Sequence, residues 1–548
     1  MKKTTNKHGI ILITLLATLM ILKTNLHFLQ EKIIVILPII LIFLLGLSVK
    51  ILTKLSKKQV VHIKNKTKFM LILIFFLALS LRLFFMPHYH LFTPDDYWLM
   101  DQGKNLLTQG KTEICSYSSD GTEVCSLIKS TGFPTILAIN FLTFGINNYY
   151  AMYFTAILSS FLVVIIFYLS YLIFNSEKAA LFSALILSFD KLNLYLSSHV
   201  ENMNPAIIFL SLSIIFFILY FRNKDLKTHF LAVALFSISM FIRIEYALFL
   251  ILLVPLYLYN VRKELNKEHF IFPTTIFVII VLFFLLQIPA ISSVGYNSQF
   301  SFTNLKTNIL TRTTSFYQNY GFLLTALFFI GAIFGIKKDF RKTSIVIFSM
   351  IIFLVFYFTW TQTNLYRVMM TVFFHGIILM GLGFDYVVSK VKDRSKNYAK
   401  IITIAIIVLV IIISMPQLIA QKQNILTRDV HIQNTVMLER LKEDVPDNCF
   451  VIVERPVFIT ATTNIKAVST IEVYNNKNNM AKLLDQSGCV YFYENDLCFE
   501  NIDVGPGRTA FGVDSTGRCE EIKKNYNLQE VKSYKFDKYT YKLYRVSL

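Results

Sequence analysis

Long apolar runs, separated by short polar interruptions, fill the chain as far as about Gln421. Runs of about 18 or more apolar residues have the length a helix needs to cross a bilayer. The pattern predicts spans near 9–24, 32–52, 68–86, 149–174, 178–198, 203–221, 229–243, 245–259, 270–291, 320–336, 342–360, 364–384 and 398–419. The fold class is therefore an α-helical polytopic membrane protein of about 13 spans. Beyond Gln421 the pattern shortens. "VMLERLKEDV" reads as a helix, "CFVIVERP", "KAVSTIEVY" and "CVYFYEN" as strands, and "NNMAKLLDQ" as a helix between two of them. "YNLQEVKSYKF" and "KYTYKLYRV" alternate like a hairpin joined at Asp537. Residues 421–548 thus form a small α/β domain of ordinary size.

Charge orients the spans. The net charge is +20, from 54 basic and 34 acidic residues. In a soluble chain such an excess suggests nucleic acid. Here Lys and Arg sit in short connections between spans, so no nucleic-acid partner is implied. The loop "TKLSKKQVVHIKNKTK" has six Lys and no acid, which makes it cytoplasmic. "RNKDLKTH", "NVRKELNKEH", "KKDFRKT" and "SKVKDRSKNYAK" share its side only if 229–259 is two short spans, split near Arg243. The remaining connections then face outward: Pro87–Asn148, Ser198–Asn202, Arg243–Glu245, Ser292–Asn319 and Thr361–Asn364, together with the C-terminal domain. The first apolar run has the flanks of a signal peptide but no small-x-small site after it, so it reads as a retained span.

The six cysteines, Cys115, Cys125, Cys449, Cys489, Cys498 and Cys519, all fall in segments assigned outside. That distribution points to disulfides in an oxidising compartment. Cys115 and Cys125 flank Asp120-Gly121, a hairpin-type turn, and are expected to pair. The four others allow three connectivities, with Cys489 expected to join Cys498 or Cys519.

Candidate chemistry lies at the outer ends of the spans. Arg82, Asp95, Asp96, His199, Glu201, Arg243, Glu245, Arg312 and Arg367 are ionisable groups at or near membrane depth, where such groups are costly and often functional. For any one alone, snorkelling at the interface is an equal reading. Asp95 and Asp96 also read as a helix start, with Thr93 as cap, Pro94 at the first position and Gly110 as the stop. As a set, these acids and arginines suit a phosphate beside a proton-transfer step. A metal is left open: Asp95, His90, His199 and Glu201 offer oxygen and nitrogen ligands for a divalent cation, whereas His88, His90 and His199 read better as interfacial polar tips. There is no P-loop or GxGxxG, and "GPGR" at Gly505–Arg508 reads as a turn.

The sequence resembles the GT-C-type integral-membrane glycosyltransferases, particularly the protein O-mannosyltransferase and lipid A aminoarabinose transferase branch. Arg82-Leu83 ends a span, Asp95-Asp96-Tyr97 opens an amphipathic helix closed by Gly110, and "TGFPTILAINFLTFG" supplies a Gly-x-Pro. "SSHVENM" carries an acid, Glu201, in the second outer loop; "SMFIRIEYALF" matches an Arg-x-Glu element, and "NLYRVMMTVFFHGIILMG" an Arg-headed late span. The family's second acid is usually Glu, where this chain has Asp96. The likeness covers about 68–420, a membrane catalytic core with a first outer loop at 87–148; the leading segment 1–67 and the domain 421–548 lie outside it.

The resemblance implies an inverting transfer of a sugar from a polyprenyl-phosphate donor to a hydroxyl of a glycan, lipid or protein at the outer face of the cell membrane. Asp95 would be the catalytic base, with Asp96 and Glu201 beside it. Arg367, Arg243 and Arg82 would hold the donor phosphate, and His199, Tyr97 and Glu245 complete the candidate set. No cofactor is certain and a divalent cation is possible. The alternatives are a transporter or flippase of a lipid-linked or anionic substrate, and a non-catalytic protein displaying its C-terminal domain.

Overall fold

The computed structural model describes residues 50, 63–89, 95–126, 130–223, 225–261, 305–359, 367–427, 429–476, 479–495, 498, 515–536 and 539–547. The predicted spans 9–24 and 270–291, nearly all of 32–52, His90, the Thr93-Pro94 helix start, the side chain of Arg312, Gly505–Arg508 and the Asp537 turn lie outside the described residues.

The membrane part is a helical bundle. Helix α1 (Asn65–Ser80) runs into a π turn, Leu81–Phe85. The connecting loop then carries α2 (Asp95–Gln109), the strands β1 (Ile114–Tyr117) and β2 (Glu123–Ser126), and a short apolar helix, α3 (Gly132–Phe144). Gly110 closes α2 with φ 72°, as its position in the sequence predicts. Helices α4 (Asn148–Phe174), α5 (Glu177–Ser188), α6 (Lys191–Ser197), α7 (Met203–Asn223) and α8 (Leu226–Ile242) follow. After an extended Arg243, a 3-10 segment (Ile244–Phe249) leads into α9 (Leu250–Val261). Then come α10 (Leu305–Lys338), α11 (Phe340–Phe358), α12 (Met370–Arg394, entered through the 3-10 turn Arg367–Met369) and α13 (Lys396–Thr427).

Among the described residues, seven helices are long and apolar enough to cross a membrane, and a bent pair makes an eighth. The split near Arg243 is present as two shorter apolar helices. The single span expected at 178–198 is instead broken: α5 and α6 meet at 55°, because Asp190 caps a new helix by accepting from the Asn193 N–H. The span expected at 320–336 belongs to a longer helix interrupted at Gly321, whose φ of 65° leaves the helical region.

Helix α12 lies at the centre of the bundle, and small residues let its neighbours reach it. A Cβ at Gly383 would stand 2.0 Å from the Leu327 carbonyl oxygen, and one at Gly331 1.9 Å from that of Leu379, so the α10 and α12 backbones touch only because both are glycines. This contact holds the middle of α12 against α10.

The C-terminal region opens with α14 (Asp429–Asp444) and continues as an α/β unit with β3 (Phe450–Val453), α15 (Val457–Thr460), β4 (Lys466–Ser469), α16 (Thr470–Asn475), α17 (Met480–Ser487), β5 (Val490–Glu494), α18 (Ser515–Asn525) and the hairpin β6 (Asn527–Phe536) and β7 (Tyr539–Ser547). "KAVSTIEVY", expected as one strand, is strand only to Ser469; the Ser469 hydroxyl then caps a helix. The seven strands form one sheet in the order β2-β1-β4-β3-β5-β7-β6. Its first two strands come from the loop after α1, with Tyr117 opposite Val468. The hairpin of the membrane part and the C-terminal strands therefore share hydrogen bonds.

The pair Cys115–Cys125 forms as expected, directly opposite in the β1–β2 register. The expected partner of Cys489 is corrected: it bonds Cys449, and Cys498 bonds Cys519. Phe450 faces Val490 in the parallel β3–β5 pair, so the residues just before them, Cys449 and Cys489, lie with Cα atoms 5.1 Å apart.

Candidate active site

Four segments bring five charged side chains together. Asp95 stands at the start of α2, where the dipole favours an ionised carboxylate. Glu201 lies between α6 and α7, Arg243 and Glu245 at the break after α8, and Arg367 at the head of α12. The Arg367 guanidinium is the hub: Nη2 donates to Asp95 Oδ2, and Nη1 to Glu201 Oε2 at 3.4 Å. Arg243 continues the chain. Its Nη1 is 3.6 Å from Glu201 Oε1 and donates to Asn202 Oδ1 at 2.8 Å, while its Nε donates to Glu245 Oε1 at 2.6 Å. Three carboxylates thus face two guanidiniums. The Arg367 side chain is 27% exposed and that of Glu201 only 5%, so the cluster opens on the Arg367–Asp95 side. The planar fork of arginine suits two carboxylates, or one carboxylate and a phosphate.

The other candidates are placed differently. Asp96 is buried and accepts from the Tyr97 N–H at 3.1 Å. Tyr97 packs on Phe458 of the C-terminal region, ring centroids 4.4 Å apart. His199 lies buried among the rings of Tyr89 and Tyr195. Arg82 is not brought to the cluster. It is fully buried within the bundle and donates to the carbonyls of Ala78 and Leu187 and to Asn193 Oδ1.

The structure adds residues that the sequence did not single out. On α2, Lys104 is buried and donates to the carbonyl oxygens of Thr460 and of Thr463, the latter at 2.8 Å. Asp101, one turn earlier, accepts from the Cys115 N–H at 3.1 Å. Burial raises the Asp101 carboxyl to about 6, against the opposing pull of Lys104. In sequence this Asp-x-x-Lys spacing is that of an ordinary solvent-facing helix pair, so nothing marked it.

A divalent cation between Asp95 and Glu201 would meet Arg367, which already bridges them. Among the described residues, the grouping with ligand-like spacing is Cys115, Glu123 and Cys125, whose two sulfurs are joined in a disulfide. In this structure the carboxylates of the cluster are met by guanidinium partners, and His90, the fourth residue of the possible metal set, lies outside the described residues.

With the geometry in hand, the class of the fold follows. The family described as dolichyl-phosphate-mannose-protein mannosyltransferase matches residues 129–287. The chain is similar in structure to ArnT from Cupriavidus metallidurans bound to undecaprenyl phosphate, with a TM-score of 0.55 and 10% identity over 87% of this chain and 97% of that one. It is also similar to the oligosaccharyltransferase AglB from Archaeoglobus fulgidus in complex with an inhibitory peptide and a dolichol-phosphate, with a TM-score of 0.51 and 13% identity over 87% of this chain and 74% of that one. No curated protein sequence matches the chain. The fold is that of the GT-C-type integral-membrane glycosyltransferases, and the protein is a multi-pass membrane protein with a β-containing C-terminal region.

Proposed function

We propose that the protein is an inverting glycosyltransferase that moves a sugar from a polyprenyl-phosphate donor to an acceptor hydroxyl at the outer face of the membrane. The observation that carries this reading is the bridge of Arg367 between Asp95 and Glu201, open on the Asp95 side, in a GT-C fold. The two relatives' structures, one with undecaprenyl phosphate and one with a dolichol-phosphate, support a lipid-phosphate donor. In this reaction Asp95 takes the acceptor hydroxyl proton and the acceptor oxygen bonds the anomeric carbon from the face opposite the leaving group. The bond from that carbon to the phosphate oxygen breaks, and its electron pair stays on the phosphate. Arg367 and Arg243 stabilise the charge that develops there.

The same reading orients the chain, with the 87–148 loop and residues 421–548 outside the membrane as an extracytoplasmic domain. The cysteines support that side, since all six are paired in disulfides. The test is purified protein in lipid nanodiscs with radiolabelled polyprenyl-phosphate sugars and membrane extracts as acceptors. Transfer with release of the lipid phosphate is expected. Movement of intact donor between leaflets, without cleavage, would instead make the protein a flippase.

A further inference from the structure

The proposed reaction leaves a fully buried arginine unused. Arg82 sits on the π turn that ends α1. Its Nη1 donates to the Ala78 carbonyl at 2.9 Å, and its Nη2 to the Leu187 carbonyl at 3.3 Å and to Asn193 Oδ1. Leu187 lies in the last turn of α5, so the guanidinium meets a carbonyl at the negative end of a helix. On the other side of the same break, Asp190 caps α6 by accepting from the Asn193 N–H at 2.6 Å. The second Asp190 oxygen accepts from Asn319 Nδ2 at 2.9 Å and from the Tyr320 hydroxyl at 2.8 Å. Those two residues directly precede the interruption of α10 at Gly321. The Asn193 amide passes the network on to Asn204 at 3.0 Å, and Asn204 to Ser159 at 2.8 Å.

Three irregular points therefore converge on one buried cation and one buried anion: the π turn of α1, the 55° break between α5 and α6, and the Gly321 interruption of α10. Non-helical backbone at membrane depth persists only where neighbours satisfy its freed polar groups. Arg82 and Asp190 are linked through Asn193, and packing alone does not explain them, because apolar residues of like volume often stabilise as well as or better than buried charged groups.

What the network touches suggests its use. In chain order the next helix after the Arg82 turn is α2, which begins at Asp95, and the residues after α6, the helix Asp190 caps, include Glu201. Between these points the Tyr89 N–H donates to the Ser198 carbonyl at 3.3 Å, and Met86 and Tyr89 pack with Phe189 and Leu194. We propose that Arg82 and Asp190, with Asn319 and Tyr320, are positioning residues. They fix the roots of the two segments that carry Asp95 and Glu201, and so set the spacing that Arg367 bridges. The proposal rests on the glycosyltransferase reading for its effect on turnover, but not for its effect on the two segments.

The experiment pairs kinetics with hydrogen–deuterium exchange in nanodiscs, using Tyr320→Phe, Asp190→Asn and the double variant Arg82→Met with Asp190→Leu. Tyr320→Phe removes one hydroxyl and keeps the ring, so it folds if the larger changes do not. Amides of 95–101 and 198–203 are expected to exchange faster in each variant, with 340–358 unchanged. Turnover should fall on the order of 10- to 100-fold while the KM for the polyprenyl-phosphate sugar stays within about 3-fold, because misplacement acts on the reacting geometry. The double variant should regain wild-type melting without regaining turnover. Unchanged exchange overturns the proposal, as does faster exchange with unchanged turnover. Recovery of turnover together with melting in the double variant makes the network purely structural. Absence of transfer by the wild-type protein sinks the glycosyltransferase reading alone, and the exchange data still decide whether the network fixes the two segments.

Discussion

Arg367 and Asp95 are paired directly, although 272 residues separate them in the chain. In the proposed reaction the donor phosphate competes for the same fork of N–H donors.

Asp95→Asn keeps the shape and some of the hydrogen bonding but takes no proton. Sugar transfer is expected to fall by roughly 100-fold or more at matched protein level. Stability should change by less than about 1 kcal/mol, since the pair with Arg367 is partly solvated. Near-normal transfer by Asp95→Asn, with an inactive Asp96→Asn, would move the base to Asp96.

Arg367→Lys keeps the charge and loses the fork. A single ammonium does not span Asp95 and Glu201 as the guanidinium does. Affinity for a polyprenyl-phosphate, measured by titration in nanodiscs, should drop about 10-fold or more for Arg367→Lys and further for Arg367→Ala. Arg243→Ala should weaken binding less, because Arg243 is held by Glu245, Asn202 and Glu201. Equal affinity in wild type and Arg367→Ala would take Arg367 out of the phosphate site.

Non-reducing peptide mapping should recover Cys115–Cys125, Cys449–Cys489 and Cys498–Cys519. Replacing Cys115 and Cys125 by Ser opens a short loop, a loss of about 3 kcal/mol on chain-entropy grounds. The β1–β2 hairpin shares its sheet with β4, so the loss should also loosen the C-terminal region from the membrane part. Limited proteolysis after Lys111 reads this; an unchanged digestion pattern would show that the hairpin is held without its disulfide.

Asp101 gives the protein a pH dependence. Burial raises its carboxyl from 3.8 to about 6, so the folded state binds this proton more tightly than the unfolded chain does. Stability should therefore rise as pH falls from 7.5 through 6 towards 4, by at most roughly 3 kcal/mol. Asp101→Asn should lack this increment. Melting curves of both proteins across that range decide it, and parallel curves would show that Asp101 is not the group responsible.

Much of the bundle was legible because hydrophobic length is a one-dimensional property. Asn148–Phe174 and Met203–Asn223 fall where the apolar runs place them, and the break at Arg243 was recoverable from loop charge alone. The residue types able to do chemistry are set by the sequence, and Asp95, Glu201, Arg243, Glu245 and Arg367 stand out there as ionisable groups at the outer ends of spans. Three-dimensional packing decided which of them meet. It gathered those five and sent Arg82, a residue with the same charge in the same kind of position, into the bundle interior beside the α5–α6 break. Local sequence holds no signal for that difference, because it depends on which helix end faces the guanidinium. The same limit applies to Cys449 and Cys489. Their pairing follows from the parallel register of β3 and β5, and strand neighbours in a parallel sheet are set by chain crossings rather than by the residues between them. The link of the loop hairpin to β4 is of this kind too: hydrogen bonds between strands far apart in the chain exist only once the whole fold has brought their edges together.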